Sequence, residues 1–296
     1  MNRSLPWLTV GALAPLALAH GATPFDRAVD ADVRGTVEVR NVAGSVEIQG
    51  WDKASVHVSG STADNVERVD VRRDGNRVTV EVVMRDGSRS RSSEGTQLMI
   101  EAPRASALEV STVSASIAAR AIEGEQRLQS VSGSIDAEAF ASDLNASSVS
   151  GAVTVHGHGS VAMTRARAIS GSVQLTDIAG QVEAQAVSGS VDVAAIQLDR
   201  ATLSSISGRV SLSGALGEHA RADLTTTSGS LNMTFAGTAA AEYELTTFSG
   251  AIDPCFGPPV SEPRNGPQRQ HRFREGDSDA RVRANSMSGS ITLCRK

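Results

Sequence analysis

Aromatic residues are scarce. Phe, Trp and Tyr together make up 3% of the 296 residues, although 40% of the chain is hydrophobic. A deep core built from Val, Ala, Ile and Leu alone would be full of voids, so these residues point to a thin one. Sugar-binding surfaces use exposed aromatic rings, and few are on offer. Cysteine is limited to Cys255 and Cys294. In an oxidising compartment two cysteines suggest one disulfide. Positive charge is also short, with 28 Lys and Arg against 33 Asp and Glu and a net charge of −5. A nucleic-acid partner would need a basic stripe to meet its phosphates, so none is expected. Beyond the first twenty residues no run approaches the ~20 apolar residues of a membrane-spanning helix.

The N-terminus reads as a secretory signal over residues 1–19. Arg3 supplies positive charge, Leu5 to Leu18 form the apolar stretch, and Ala17-Leu18-Ala19 is a small-x-small cleavage site. The alternative, a membrane anchor, needs a longer stretch. Cleavage would leave His20 as the first residue and remove only Arg3 among the charges, giving 27 basic against 33 acidic residues. N-terminal sequencing of the mature protein checks this. Residues 20–32 are expected to be a linker.

What the sequence has in abundance is a repeat. An apolar-Ser-Gly-small-apolar unit appears at Val131-Ser132-Gly133-Ser134-Ile135 and again around Gly151, Gly171, Gly189, Gly208, Gly229, Gly250 and Gly289. Val113-Ser114-Ala115-Ser116-Ile117 is a degenerate first copy. Up to Gly250 successive glycines lie 18 to 21 residues apart, and 39 residues then separate Gly250 from Gly289. That period is too short for a strand-helix crossover and too long for one hairpin strand. It fits an all-β parallel solenoid of ~18–21-residue turns over residues 105–296, with an antiparallel sandwich or meander as the alternative. Apolar residues two and four after each glycine face inward, as do those five and seven before it, for example Ala222 and Leu224. Carrying the alternation back to the corner buries Val131, Val149, Ile169, Val187 and Ile206 and places Ser132, Ser150, Ser170, Ser188 and Ser207 in an outward ladder. On that register Ile206→Ala costs ~2–4 kcal/mol. The glycine itself is expected where backbone crowds the core.

Residues 33–104 are rich in strand signals but irregular, and form an N-terminal cap sharing the same core. Arg73-Asp74-Gly75-Asn76 between two valine-rich runs is a hairpin turn. Residues 85–95 are a polar loop whose Arg85, Arg89 and Arg91 read as a solvated tip. A Pro-rich insertion, 254–277, carries five of the nine prolines together with Arg264, Arg269, His271, Arg272 and Arg274. It is expected as a surface loop.

Phe25-Asp26-Arg27 followed by Val37 to Asp52, with its Ala43-Gly44-Ser45 corner and its Gly50-Trp51-Asp52 ending, resembles the opening of the DUF4097 family of toastrack, or adhesin-like, β-strand repeat proteins. The later Ser-Gly units resemble its repeats. The resemblance implies an envelope-associated β-repeat fold and supplies no catalytic residues to carry over. The Pro-rich insertion and the cysteine pair depart from it.

Sites of chemistry are hard to find. His156-Gly157-His158 is the one close pair among His57, His156, His158, His219 and His271, and zinc needs three or four ligands. The serines recur at one repeat position and lack a nucleophile elbow, so they read as structural. Asp136, Asp192 and Asp253 point outward, but Asp136 and Asp192 lie three turns, ~14 Å, apart and so do not form a glycosidase pair. No catalytic residue, cofactor or metal is expected. The reading is a non-catalytic exported protein of the periplasm or cell surface, a scaffold or adhesin-like surface for an envelope protein or polymer. Its rivals are a glycan-active β-helix enzyme and a self-assembling structural element. Equal placement of Cys255 and Cys294, each five residues after its glycine, predicts a disulfide between neighbouring turns, tying down the final turn, which is expected to have no strand beyond it.

Overall fold

The computed structural model describes residues 23–85, 95–260 and 267–296. The expected signal peptide and part of the polar loop, including Arg89 and Arg91, lie outside these residues. So does Arg264.

Among the described residues the chain is all-β. Its N-terminal strands are β1 (Thr23–Asp30), β2 (Thr36–Trp51), β3 (Ser55–Thr62), β4 (Val66–Asp74), β5 (Arg77–Met84) and β6 (Thr96–Pro103). The repeats begin with β7 (Ala107–Arg120), β8 (Gln126–Ser130), β9 (Ile135–Ala139), β10 (Leu144–Ser148), β11 (Val153–Gly157) and β12 (Val161–Ala168). Longer strands follow, β13 (Val173–Ala186), β14 (Val191–Ser205) and β15 (Val210–Ser228), then β16 (Leu231–Phe235), β17 (Ala241–Ser249) and β18 (Ile252–Pro254). The chain ends with β19 (Arg269–Glu275), β20 (Arg281–Ser288) and β21 (Ile291–Arg295).

These strands form two parallel ladders. Residues before each glycine pair in the order β5, β2, β7, β8, β10, β12, β13, β14, β15, β20, β17. Residues after it pair in the order β6, β2, β7, β9, β11, β13, β14, β15, β16, β21, β18. Long strands belong to both ladders, so β7, β8, β10, β12, β13, β11 and β9 close a ring of seven parallel strands. Antiparallel strands finish the ends: β4 on β5 and β3 with β1 on β6 at one end, and β19 on β17 at the other. Lateral edges of parallel stacks invite pairing with other chains, and such covers blunt them.

The core between the ladders is continuous and mainly aliphatic, and the strands of 33–104 share it. Residues two and four after the glycines, such as Val173 and Leu175, are buried, as are those five and seven before, such as Ala222 and Leu224. Aromatics gather at the C-terminal end. Phe235, Tyr243, Phe256 and Phe273 pack together with centroids 5.0–6.3 Å apart. The Tyr243 hydroxyl donates to the Ala239 carbonyl at 2.6 Å. The Asp74–Arg77 hairpin forms, with Gly75 at φ 57° as its turn requires.

Three expectations are corrected. Residues 23–30, expected in a linker, form β1 along β3. The insertion at 254–277 is more than a surface loop, because Arg269–Glu275 forms β19 with His271 and Phe273 buried against β17. The aromatic Phe273 gives it a packing partner that a solvated loop lacks. Finally, the last segment of the chain is not the last rung. β20 and β21 lie between β15–β16 and β17–β18, so the rung made earlier in sequence sits outside the one made later. The 39-residue interval supplies enough chain to reach back across one rung.

Candidate interaction surface

The outward surface is organised by the corner that joins the two ladders. Each glycine there is required by close approach. A Cβ on Gly189 would stand 1.9 Å from the carbonyl oxygen of Gly171, and one on Gly171 2.0 Å from that of Gly151. The same contact runs from Gly133 to Gly229, then to Gly289 and Gly250. The obstacle is backbone of the adjacent rung, not the aliphatic core, and it explains the spacing of one glycine per rung.

Three residues before the corner position most rungs carry a buried hydroxyl, with Asn41, Ala168 and Ala186 standing there in the other three. Ser148 Oγ accepts from Gly151 N at 2.9 Å and donates to the Gly133 carbonyl at 3.0 Å. Ser130, Ser205, Thr226, Thr247 and Ser286 make the equivalent bond to the neighbouring rung's carbonyl. This clip satisfies backbone that the bend leaves unpaired. Sequence reasoning missed it, though the recurring Ser or Thr at that position was a visible signal.

Between clip and glycine, two consecutive residues point outward. This corrects the expected register. Val131, Val149, Ile169, Val187 and Ile206 are exposed rather than buried, and Ser132, Ser150, Ser170, Ser188 and Ser207 are exposed beside them. Inward positions are odd-numbered before the glycine and even-numbered after it. The phase must therefore change somewhere, and it changes at this pair. Backbone bonds such as Ser150 N to Val131 O (2.8 Å) and Ser170 N to Val149 O (2.8 Å) stack the corners directly.

The consequence is an exposed apolar ridge crossing the rungs. It begins with Val42 and Val113, continues through the five residues just named, and ends with Met287 and Phe248. These residues are 37% to 61% exposed, with Thr227 completing the row. Beside it runs a shallow trough of about 430 Å³, floored by Ser148, Ala168 and Ala186 and walled by Val149, Ile169, Val187 and Ile206. Small residues at the clip position leave this space. Arg167 flanks the trough and hydrogen-bonds Glu183 at 2.6 Å, holding that carboxylate below its usual range. With Ile206 half-exposed, Ile206→Ala should cost less than ~1 kcal/mol, whereas Leu203→Ala, at a fully buried position, should cost ~2–5 kcal/mol. Chemical denaturation of both variants checks this difference.

Other sequence candidates disperse. His156 bonds Thr176 at 2.8 Å, and His158 stacks on Phe140 with centroids 4.3 Å apart. Asp136 and Glu138, on the adjacent rung, lie 3.9 and 3.8 Å from the two imidazoles. Among the described residues no group of three or more His, Cys, Asp or Glu could hold a metal ion, and no helix is long and apolar enough to cross a membrane. Asp136 and Asp192 stand three rungs apart, separated by Thr154 and Gln174. Cys255 and Cys294 are disulfide-bonded with Cα atoms 4.8 Å apart, on neighbouring rungs.

Two histidines brace the ends in opposite senses. His57 contacts Glu101 of β6 and Asp26 of β1, both at 2.9 Å, and these carboxylates raise its pKa. Both ring nitrogens donate only in the charged form. Its contribution is complete below the ordinary value of ~6.5 and fades as pH rises through the raised value. Burial lowers the pKa of His271, so its contribution is present above ~6.5 and fades as pH falls through the lowered value. Amide exchange across mildly acidic to mildly alkaline pH should therefore show β1 loosening at the alkaline end and β19 at the acidic end. His57→Gln and His271→Gln should each abolish the corresponding change.

Parallel ladders, a glycine corner in nearly every rung, clipped in most by a buried hydroxyl, and an outward apolar ridge define an all-β repeat protein. The chain belongs to the Toastrack DUF4097 family, whose pattern it matches over residues 36–294. Among solved structures it is similar to one from Bacteroides fragilis described as a putative adhesin, with 13% identity, coverage of 92% of this chain and 97% of that one, and a TM-score of 0.44. It is similar to another from Parabacteroides distasonis described as a putative lipid binding protein, with 13% identity, coverage of 92% and 96%, and a TM-score of 0.43. A third, from Clostridium sporogenes and described as a putative cell adhesion protein, has 10% identity, coverage of 93% and 100%, and a TM-score of 0.29. No curated protein matches.

Proposed function

We propose that this chain is a non-catalytic exported protein of the bacterial envelope, a parallel β-solenoid that serves as an interaction scaffold. The ridge from Val42 to Phe248 carries this reading. Isolated exposed aliphatics are ordinary on soluble proteins, but a contiguous apolar row marks an interaction site. Here the fold would tolerate polar residues in that row, since the side chains leave the core. Apolar residues nevertheless occupy nine of its ten positions, Thr227 being the tenth. The wide spacing of Asp136 and Asp192 supports a binding role over glycan cleavage.

Site-specific photo-crosslinking tests the proposal. A crosslinker at Val149, Ile169 or Val187 of the exported protein should give adducts in the envelope. One at Gln174, outward on the other ladder, should give few. Equal yields from both positions, or none from the ridge, would remove the reading.

A further inference from the structure

We propose that the ridge packs into the trough of a second copy of this chain, and that copy's ridge into the trough of the first, giving a side-by-side dimer with the two stacks parallel. The proposal rests on the ridge being an interaction surface and names its partner. Shape is the first argument. A ridge beside a trough is self-complementary, because a two-fold axis sets each ridge into the other's trough. Pitch is the second. Rungs recur every ~4.8 Å, so two such rows remain in step along their whole length. A helix, with a pitch of ~5.4 Å, drifts out of step over a few turns.

Charge is the third argument. A surface that meets its own copy must not confront like charges. Across the ten corners, the six positions from four before the glycine position to one after it contain Arg40, Arg167 and Arg209 as their only charged residues. The chain as a whole is 21% charged. Arg40 and Arg167 are paired within their own chain to Glu38 and Glu183. The remaining positions are chiefly Ser, Thr, Gln, Asn and Ala, neutral in either orientation.

Area is the fourth. Ten rungs give a ridge ~43 Å long. To reach the ~1,200 Å² total of a specific interface, ~600 Å² per copy, a ridge of this length needs a strip ~14 Å wide, about the span of the four residues around each corner.

Sedimentation velocity of the mature chain, from micromolar to several hundred micromolar, tests this. The wild-type protein should pass from monomer to dimer. The double variant Ile169→Glu and Ile206→Glu should associate ~100-fold more weakly or not at all, since the pairing would bury four unpaired charges. Both residues point outward, so circular dichroism and thermal melting should match wild type. Gln174→Glu, on the other ladder, should dimerise normally. A dimer that survives the double substitution would overturn the proposal. A chain that stays monomeric yet crosslinks from Ile169 to a different molecule in the envelope would overturn it too, while leaving the interaction surface standing. A monomer without ridge crosslinks would overturn both.

Discussion

Replacing Gly189 by alanine should destabilise the protein by ~3 kcal/mol or more. The added Cβ would lie 1.9 Å from the Gly171 carbonyl oxygen and 2.6 Å from its carbon, and both atoms are backbone held in the ladder. A flexible side chain would rotate away. A backbone carbonyl can move only by parting two rungs whose corners are stacked by hydrogen bonds, such as Ser188 N to Ile169 O at 2.9 Å. The glycine is not held in a left-handed conformation, so the cost comes from contact rather than from φ. Ser188→Ala, one residue earlier and exposed, should remain within ~0.5 kcal/mol of wild type. Urea unfolding of the two variants makes the comparison. If Gly189→Ala were as stable as Ser188→Ala, the crowded corner would not hold in solution.

Removing the disulfide with Cys255→Ser and Cys294→Ser should cost ~3–4 kcal/mol in the chain-entropy model, for a loop closed across 39 residues. The loss should be uneven. β21 lies between β16 and β18, and β20 between β15 and β17, so the C-terminal segment keeps a neighbour on each side. The outer rung and β19 have less to hold them. β18 spans only three residues, and Cys255 N donates to the Leu293 carbonyl at 2.8 Å. Hydrogen exchange should accelerate first in Ala241–Pro254 and Arg269–Glu275, while Arg281–Arg295 stays protected. Faster exchange in β20 and β21 than in β17 would contradict the inserted order. Thiol titration of the unfolded, unreduced wild-type chain should find no free thiol.

Several features of this protein were legible in its amino-acid order. The spacing of Gly133 through Gly250 gave the rung length, and period-two alternation gave the inward residues on both sides of each corner. Equal placement of Cys255 and Cys294 gave their pairing. These are local or periodic quantities, and in a stack of similar rungs one rung stands for the rest.

The corner was misjudged because two alternations of opposite phase meet there. Sequence shows that both exist, but only the bend decides where one yields to the other. Carrying one phase too far buried Ile206 on paper, and the structure turns it to solvent with the whole ridge. The hydroxyl clip went unnoticed for a related reason. Serine reads as outward by composition, whereas at this position it is buried by bonding backbone of the adjacent rung.

Sequence by itself determined the rungs: their length, their inward faces, the glycine in all corners but that of Ala115, and the cysteines that meet. Tertiary structure alone decided the order in which the last rungs stack, the recruitment of Arg269–Glu275 as a covering strand and the exposure of the apolar ridge. The physical reason is common to all three. A rung's own residues specify its shape, but nearly identical rungs offer nearly identical edges. Which edges meet is settled by the connecting chain, the aromatic packing of Tyr243, Phe256 and Phe273, and the phase of the corner, none of which a periodic pattern contains.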